Sequence, residues 1–342
     1  MKKHYFLFVG ITLIILITAS CKDEDASPDA TNSLLAEYDI YVTGEAGGRA
    51  AFWKNGEINY LTEPGVQSTA GAVDASGSDL YVLGRVFGAN QSALFWKNGE
   101  PTVLTRLEST VYSIEVAGVD VYVSYTDRAS QSSQSNAKLW KNGELLMLNG
   151  LNPDNFSVCF NTEISGSDVH AIGIESINNV VSAKYWKNGE LINIVEGSPN
   201  YSIFTDISVS GNDVHLVGYI LDVNNNRINK YWKNGVEVPL SSNVVPERIV
   251  VSGNDVYMVN SQADYYTVNG EKVLLEKGED AGERYVAQGV QIIDGNVLIA
   301  AGRFNSDNRR VGGYVWMNGD LLSEFSVDME DAYFNGFILV KK

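Results

Sequence analysis

Histidine is nearly absent from this chain, with three in 342 residues, and cysteine and proline are scarce, at two and seven. His4 lies in an N-terminal apolar segment, so only His170 and His215 remain for a folded domain. Neither a Ser-His-Asp triad nor a multi-His zinc site has the residues it needs. Cys21 and Cys159 give no disulfide framework, and Cys159, in an apolar run, reads as a small buried hydrophobe. Basic side chains are outnumbered 25 to 42, for a formal charge of −17, which disfavours nucleic acid because phosphate binding needs a basic surface. The apolar run from Tyr5 to Ile17 is too short to be a comfortable membrane span.

That run belongs to a targeting segment. Lys2 and Lys3 precede it, and the small residues Thr18-Ala19-Ser20 lead into Cys21. Small residues abutting one cysteine resemble a bacterial lipoprotein signal, with residues 1–20 removed and Cys21 carrying the lipid anchor (palmitate among its acyl chains). Thr18 departs from the usual Leu at its place. Cleavage removes Lys2 and Lys3 and no acid, taking the charge from −17 to −19. Lys22-Asp23-Glu24-Asp25 resembles the surface-export tag of Bacteroidota lipoproteins. The expected location is therefore the outer membrane, exposed at the cell surface, with the periplasm-facing leaflet as the alternative. Residues 21–37, rich in Ser, Pro, Asp and Asn, suit a flexible tether.

What the chain has in plenty is one turn and its flanks. Trp-Lys-Asn-Gly stands at Trp53–Gly56, Trp96–Gly99, Trp140–Gly143, Trp186–Gly189 and Trp232–Gly235, and degenerate copies stand at Thr267–Gly270 and Trp316–Gly319. The intervals are 43, 44, 46, 46, 35 and 49 residues. Asn-Gly favours a two-residue type I′ hairpin turn, since both positions need positive φ. A second repeat precedes each copy, as in Ser76-Gly77-Ser78-Asp79 and Ser210-Gly211-Asn212-Asp213, and reads as an independent hairpin. Two hairpins per period give four strands, the size of a propeller blade.

The expected fold is all-β: a seven-bladed β-propeller of four-stranded blades over residues 38–342. The first blade lacks its leading strand, and an orphan strand from Ala332 to Val340 fits the vacancy. The ring is thus expected to close by the C-terminal strand pairing in the N-terminal blade, which leaves no seam. The repeated Trp, and the Tyr81, Tyr122 and His215 slot on the second strand, recur too regularly to be a ligand site and read as packing residues.

Ser210-Gly211-Asn212-Asp213-Val214 and Tyr185-Trp186-Lys187-Asn188-Gly189 resemble the repeats of a family of Bacteroidota lipoproteins taken to be seven-bladed propellers. The resemblance covers residues 38–342 and implies the fold, without an activity. The WD-repeat and sialidase Asp-box patterns are missing.

Function is expected on the face bearing the variable loops, the second-to-third-strand and blade-to-blade connections. Near the last blade, Asp280, Glu283, Arg284, Arg303, Asp331 and Tyr333 form the candidate ligand-binding set, with Arg309 and Arg310 adding to a basic surface cluster. Asp222–Asn226 begins like a calcium loop, but Arg227 replaces its glycine and Lys233 its bidentate glutamate, which favours a plain polar loop. No cofactor is implied, and a divalent cation such as calcium stays open. The main expectation is a monomeric surface-anchored binding module for a glycan or envelope protein. The alternative is a polysaccharide-active hydrolase or lyase using loop carboxylates with Arg or Tyr.

Overall fold

The computed structural model describes residues 37–128, 134–195, 201–241, 243–277, 284–306, 310–326 and 332–342. Strands fill it in groups. The first three are β1 (Tyr38–Ala46), β2 (Arg49–Lys54) and β3 (Glu57–Tyr60). Then come β4 (Ser68–Ser76), β5 (Asp79–Val86), β6 (Ser92–Lys97) and β7 (Glu100–Thr105), followed by β8 (Glu108–Ala117), β9 (Asp120–Arg128), β10 (Asn136–Lys141) and β11 (Glu144–Leu146). Next are β12 (Phe156–Ser165), β13 (Asp168–Ile177), β14 (Val180–Lys187) and β15 (Glu190–Ile192), then β16 (Tyr201–Ser210), β17 (Asp213–Leu221), β18 (Arg227–Lys233) and β19 (Val236–Val238). The last two groups are β20 (Pro246–Ser252), β21 (Asp255–Asn260), β22 (Tyr265–Val268) and β23 (Glu271–Leu274), and β24 (Arg284–Ile293), β25 (Asn296–Phe304), β26 (Arg310–Met317) and β27 (Asp320–Ser326). The final strand is β28 (Ala332–Lys341).

Each group is a four-stranded antiparallel meander, and among the described residues one parallel bridge, Val181 to Tyr201, links β14 to β16 across two of them. The first group is completed from the far end of the chain: β28 lies antiparallel to β1, from Tyr38 opposite Lys341 to Ala46 opposite Ala332. Each leading strand touches the leading strand of the next group, and β28 touches both β24 and β4.

The core is divided in the same way. Buried clusters join successive sheets, as where Tyr122 and Leu139 of one meet Ala171 and Trp186 of the next. One cluster brings Val42 and Trp53 of the first sheet against Leu298 and Val315 of the last. Trp96, Trp186 and Trp316 are almost wholly enclosed. Two indole N–H groups reach back to the preceding sheet, Trp186 to the Asn149 carbonyl at 2.9 Å and Trp316 to the Glu276 carbonyl at 2.7 Å. The recurrent tryptophan, replaced by Thr267 in the sheet led by β20, therefore packs sheets against their neighbours, as its periodicity suggested. His170 and His215 are likewise buried, stacked on Tyr185 and Tyr231 with Nδ1 at 2.8 and 2.7 Å from the phenol oxygens. Cys159 is fully enclosed, and burial pushes its thiol up to about 12.

Both sequence repeats form hairpins, as in β4–β5 and β6–β7, and side chains link the two turns of each sheet. All seven turn asparagines, from Asn55 to Asn318, hold φ between 46° and 56°, the left-handed conformation that Asn tolerates. The amide of Asn188 donates to Asp168 Oδ1 at 2.9 Å, and its Oδ1 accepts the Val169 N–H at 2.8 Å. Lys187 completes the set with a 2.7 Å ion pair to Asp168. The same arrangement recurs at Asn55, Asn98, Asn142 and Asn234. The degenerate Asn269 has no lysine beside it but still binds Asp255, at 2.7 Å. One end of every sheet is thus closed by side chains that satisfy one another.

Candidate functional site

The opposite ends of the strands carry the varied residues. Of the expected ligand set, Arg284, Arg303 and Tyr333 fall there; Asp280, Glu283 and Asp331, like Cys21 and Arg309, lie outside the described residues. Tyr333 stands on β28 opposite Glu45 of β1. Arg284 begins β24, exposed, with its guanidinium 4.5 Å above the Phe304 ring. Arg303 is one step along the same strand pair, opposite Tyr285.

Arg303 does not belong to a solvated basic cluster. Its side chain is buried, and Nη1 donates to Glu324 at 2.5 Å and to the Tyr314 hydroxyl at 3.1 Å. A guanidinium so engaged fixes β25 against β26 and β27, and this packing reaches the exposed Arg284 through its neighbour Tyr285. The Asp222 loop also closes on itself: the carboxylate accepts the Asn224 and Asn226 N–H groups, both at 2.8 Å. Among the described residues, no three His, Cys, Asp or Glu side chains are grouped to hold a metal ion.

Sequence reasoning missed a concavity at the leading strands. A cavity of about 550 Å³ is lined by all seven leading strands, β4, β8, β12, β16, β20, β24 and β28. Every one of these strands is bulged, and the extra residue is Tyr112, Phe160, Thr205, Glu247, Gln288 or Asn335, with a two-residue irregularity at Gly71–Ala72. A bulge turns an additional side chain out of the ladder, and here Ala72, Tyr112, Phe160, Thr205, Glu247, Gln288 and Asn335 all line the cavity. Tyr112 and Phe160 meet edge to face at 5.9 Å. Gly84, Gly173 and Gly218 stand opposite bulges, where a Cβ would collide with the Thr69, Val158 and Ile203 carbonyls. Those recurrent glycines were the legible trace of the bulges.

Deeper along the same strands, carboxylates share one register position. Asp74, Glu115 and Glu163 each precede the glycine of their turn by three residues. Burial pushes Asp74 up to about 6 and Glu163 up to about 7, and it also raises Glu115, helped by the nearby Asp74 and Glu163 charges. Asp74 accepts the Val116 N–H of the next sheet at 2.6 Å; Ser208 and Gln291, at the same position elsewhere, accept Val251 and Leu339 N–H groups at 3.1 and 2.9 Å. This layer therefore stitches sheets together, and Glu115, Glu163 and Ser208 of it line the cavity.

Asp206 is also raised by burial, against the opposing charge of Arg248. It is held by the Ile249 N–H and the Asn161 amide, each at 2.9 Å. Arg248 in turn donates to the Gln288 and Thr205 carbonyls at 3.3 and 3.4 Å. The cavity thus has amides, hydroxyls, one arginine, the Glu247 and Asp206 carboxylates and an aromatic pair at the bulged end, with the Glu115 and Glu163 carboxyls, raised by burial, beyond them. Such a lining suits a polar, uncharged ligand with flat faces.

No family model matches the chain, and no curated protein matches it either. Among solved structures it is similar to an acylaminoacyl peptidase from Pyrococcus horikoshii, at 11% identity and a TM-score of 0.52. The match covers 86% of this chain and 54% of that one, so the chain spans about half the length of that peptidase. Weaker likenesses are to a prolyl endopeptidase, at 13% identity and a TM-score of 0.47 over 90% of this chain and 50% of that one, and to apo AztD from Citrobacter koseri, at 8%, 0.43, 89% and 98%. At these identities a likeness concerns the fold alone, and the chain has an all-β, propeller-like fold of four-stranded antiparallel sheets.

Proposed function

We propose that the seven sheets are the blades of a closed seven-bladed propeller of a lipoprotein like those of the Bacteroidota, anchored through Cys21 at the outer-membrane surface, and that the protein is a glycan-binding module. The pairing of β28 with β1 and the core shared by the first and last sheets support the closure. The observation that carries the binding reading is the central cavity, whose bulged strands aim Tyr112, Phe160, Asn335 and Gln288 into one space of about 550 Å³. Sugars are recognised by hydrogen bonds to amides and hydroxyls together with apolar contact against aromatic rings, and both are present there. The tether of residues 21–37 would present this end of the disc away from the membrane surface.

The test is a glycan panel screened with the mature chain in detergent, repeated with Tyr112→Ala and Gln288→Ala. Binding of a neutral oligosaccharide that both variants weaken supports the proposal; an envelope protein recovered as ligand in its place, or no ligand at all, counts against it.

One observation favours a second reading, a glycoside hydrolase or lyase. Glu163, pushed up to about 7, and Asp206 line the same cavity, and carboxylates with raised values are suited to proton transfer near neutrality. Reducing-end release and unsaturated-product absorbance over the same panel separate the two. Turnover lost in Glu163→Gln would replace the binding account with the enzymatic one.

A further inference from the structure

Arginine is distributed unevenly. Arg49, Arg85, Arg128, Arg227, Arg284 and Arg303 all stand at strand ends on the variable-loop side, whereas Lys54, Lys97, Lys141, Lys187 and Lys233 stand at the turn-locked ends. Most of these arginines are engaged. Arg128 pairs with Glu108, Arg227 with Glu247 and Arg303 with Glu324, while Arg49 binds the Thr62 carbonyl over the Tyr60 ring.

Arg85 differs. Together with Arg128 and Glu108, which pair with each other, it lines a second cavity, of about 390 Å³, between the sheets led by β4 and β8. It is half-buried, Nη1 donates to the Ser109 carbonyl at 2.7 Å, and the guanidinium lies 5.0 Å from the Phe87 ring. Among the described residues no carboxylate forms an ion pair with it. Burial lowers its affinity for a proton, the mark of a cation whose hydration has been thinned without a compensating anion. The slot is also aperiodic: the equivalent positions hold Glu45, Thr126, Ile174, Tyr219, Ser261 and Gly302. A residue required for the fold would recur as the turn asparagines do, and this one occurs once.

We infer that this second cavity is a binding site for an acidic oligosaccharide, with Arg85 receiving the carboxylate of a uronic acid and Phe87 stacking against the sugar ring. A guanidinium matches a carboxylate with two parallel N–H donors, and among the described residues only Nη1 of Arg85 makes a hydrogen bond, to Ser109. Phe87 and Leu107, at 42% and 40% exposure, supply an accessible apolar wall beside it. The volume exceeds what a bare anion needs and accommodates a sugar residue with part of its neighbour. The net charge of −17 would repel such a ligand at a distance, but the repulsion is screened beyond about 8 Å at physiological ionic strength, so the local cation decides. This site is separate from the central cavity and does not depend on the reading given to it.

The experiment titrates the mature chain in detergent with trigalacturonate and with its fully methyl-esterified, neutral counterpart, by calorimetry. The expected result is binding of the acid form only, weakened about tenfold or more in Arg85→Gln and about severalfold in Phe87→Ala, with thermal melting unchanged. Arg49→Gln, on the same face but away from this cavity, controls for general charge and should bind normally. No binding by the wild-type chain, equal binding of the ester, or equal losses in Arg49→Gln and Arg85→Gln would each overturn the inference. Loss in Arg248→Gln without loss in Arg85→Gln would also overturn it, by moving the acidic ligand to the central cavity.

Discussion

Replacing one turn asparagine tests whether the paired repeats are a structural lock. Asn188 has φ of +53°, and its side chain both accepts the part-buried Val169 N–H and donates to Asp168. Alanine at this position loses the acceptor, which costs about 1 kcal/mol for a hydrogen bond of this type. It must also hold a left-handed backbone, which costs a residue with a Cβ roughly 1–2 kcal/mol. The sum predicts that Asn188→Ala destabilises by about 2–3 kcal/mol. Glycine carries no steric cost at positive φ, so Asn188→Gly should recover up to about 1–2 kcal/mol of that loss, less its larger loss of chain entropy, while still lacking the side-chain contacts. Lys187→Met breaks an ion pair that is 41% and 37% exposed and should shift stability little. Urea denaturation of the four proteins, at constant m-value, reads these differences from the midpoints. Alanine and glycine variants of equal stability would refute the backbone part of the reasoning. Wild-type stability in both would refute the lock.

The layer of buried carboxylates predicts a pH dependence. Asp74 and Glu163 have folded values raised to about 6 and about 7, so their contribution is fully present below the ordinary carboxylate range and is lost as pH rises through about 6 to 7. The melting temperature should therefore fall between pH 5 and pH 8, and Asp74→Asn with Glu163→Gln should flatten that slope and raise the melting temperature at pH 8; an unchanged slope refutes the assignment. The lock aspartates, such as Asp79 and Asp168, are held below the usual range mainly by their lysine partners, so they add stability that disappears only on acidification below about pH 4 and do not affect this window. Trp186→Ala, at a fully enclosed site, should cost about 3–5 kcal/mol by equilibrium unfolding, against a smaller loss for Trp186→Phe. Deleting residues 332–342 removes the partner of β1 and should give a large fall in melting temperature or insoluble protein; a truncated chain that melts like the full one sinks the closure. Cys21→Ser should abolish incorporation of a labelled palmitate analogue and release the protein from the membrane fraction, and unchanged labelling would refute the anchor.

Periodicity determined what could be read in advance. Asn-Gly pairs imply hairpins from φ alone, and the spacing of Trp53 through Trp316 sets how the hairpins group, so strand count and the vacancy filled by β28 were accessible from the chain. The meeting of Asn188 with Asp168 was not, because it depends on register between strands β13 and β14 that no local signal specifies. The bulges escaped for a related reason: an extra residue such as Tyr112 or Phe160 leaves the apolar alternation intact on either side. Only the glycine opposite, in the Gly84, Gly173 and Gly218 copies, betrays the close backbone approach. Arg303 was misjudged because a charged residue near a loop normally faces water, and the two partners that make its burial affordable, Glu324 and Tyr314, are supplied by other strands.

A repeat protein offers an internal comparison that an ordinary domain lacks. Where a position has the same residue in most sheets, one structural cause must act in all of them, and the lock and the buried tryptophan meet that description. Where a position varies, the scaffold has no requirement there, and an energetically costly residue needs a separate cause. Asp206 and Arg248 occupy one variable register level, the level held by Ala72, Ser113 and Gly336 in other sheets, yet they offset one another's charge and so explain each other. Arg85 has no such counterpart among the described residues. By this reasoning the residue least accounted for by the fold is the one to mutate first, and the tests at Arg85 and Asn188 should divide: stability held with affinity lost in one, stability lost in the other.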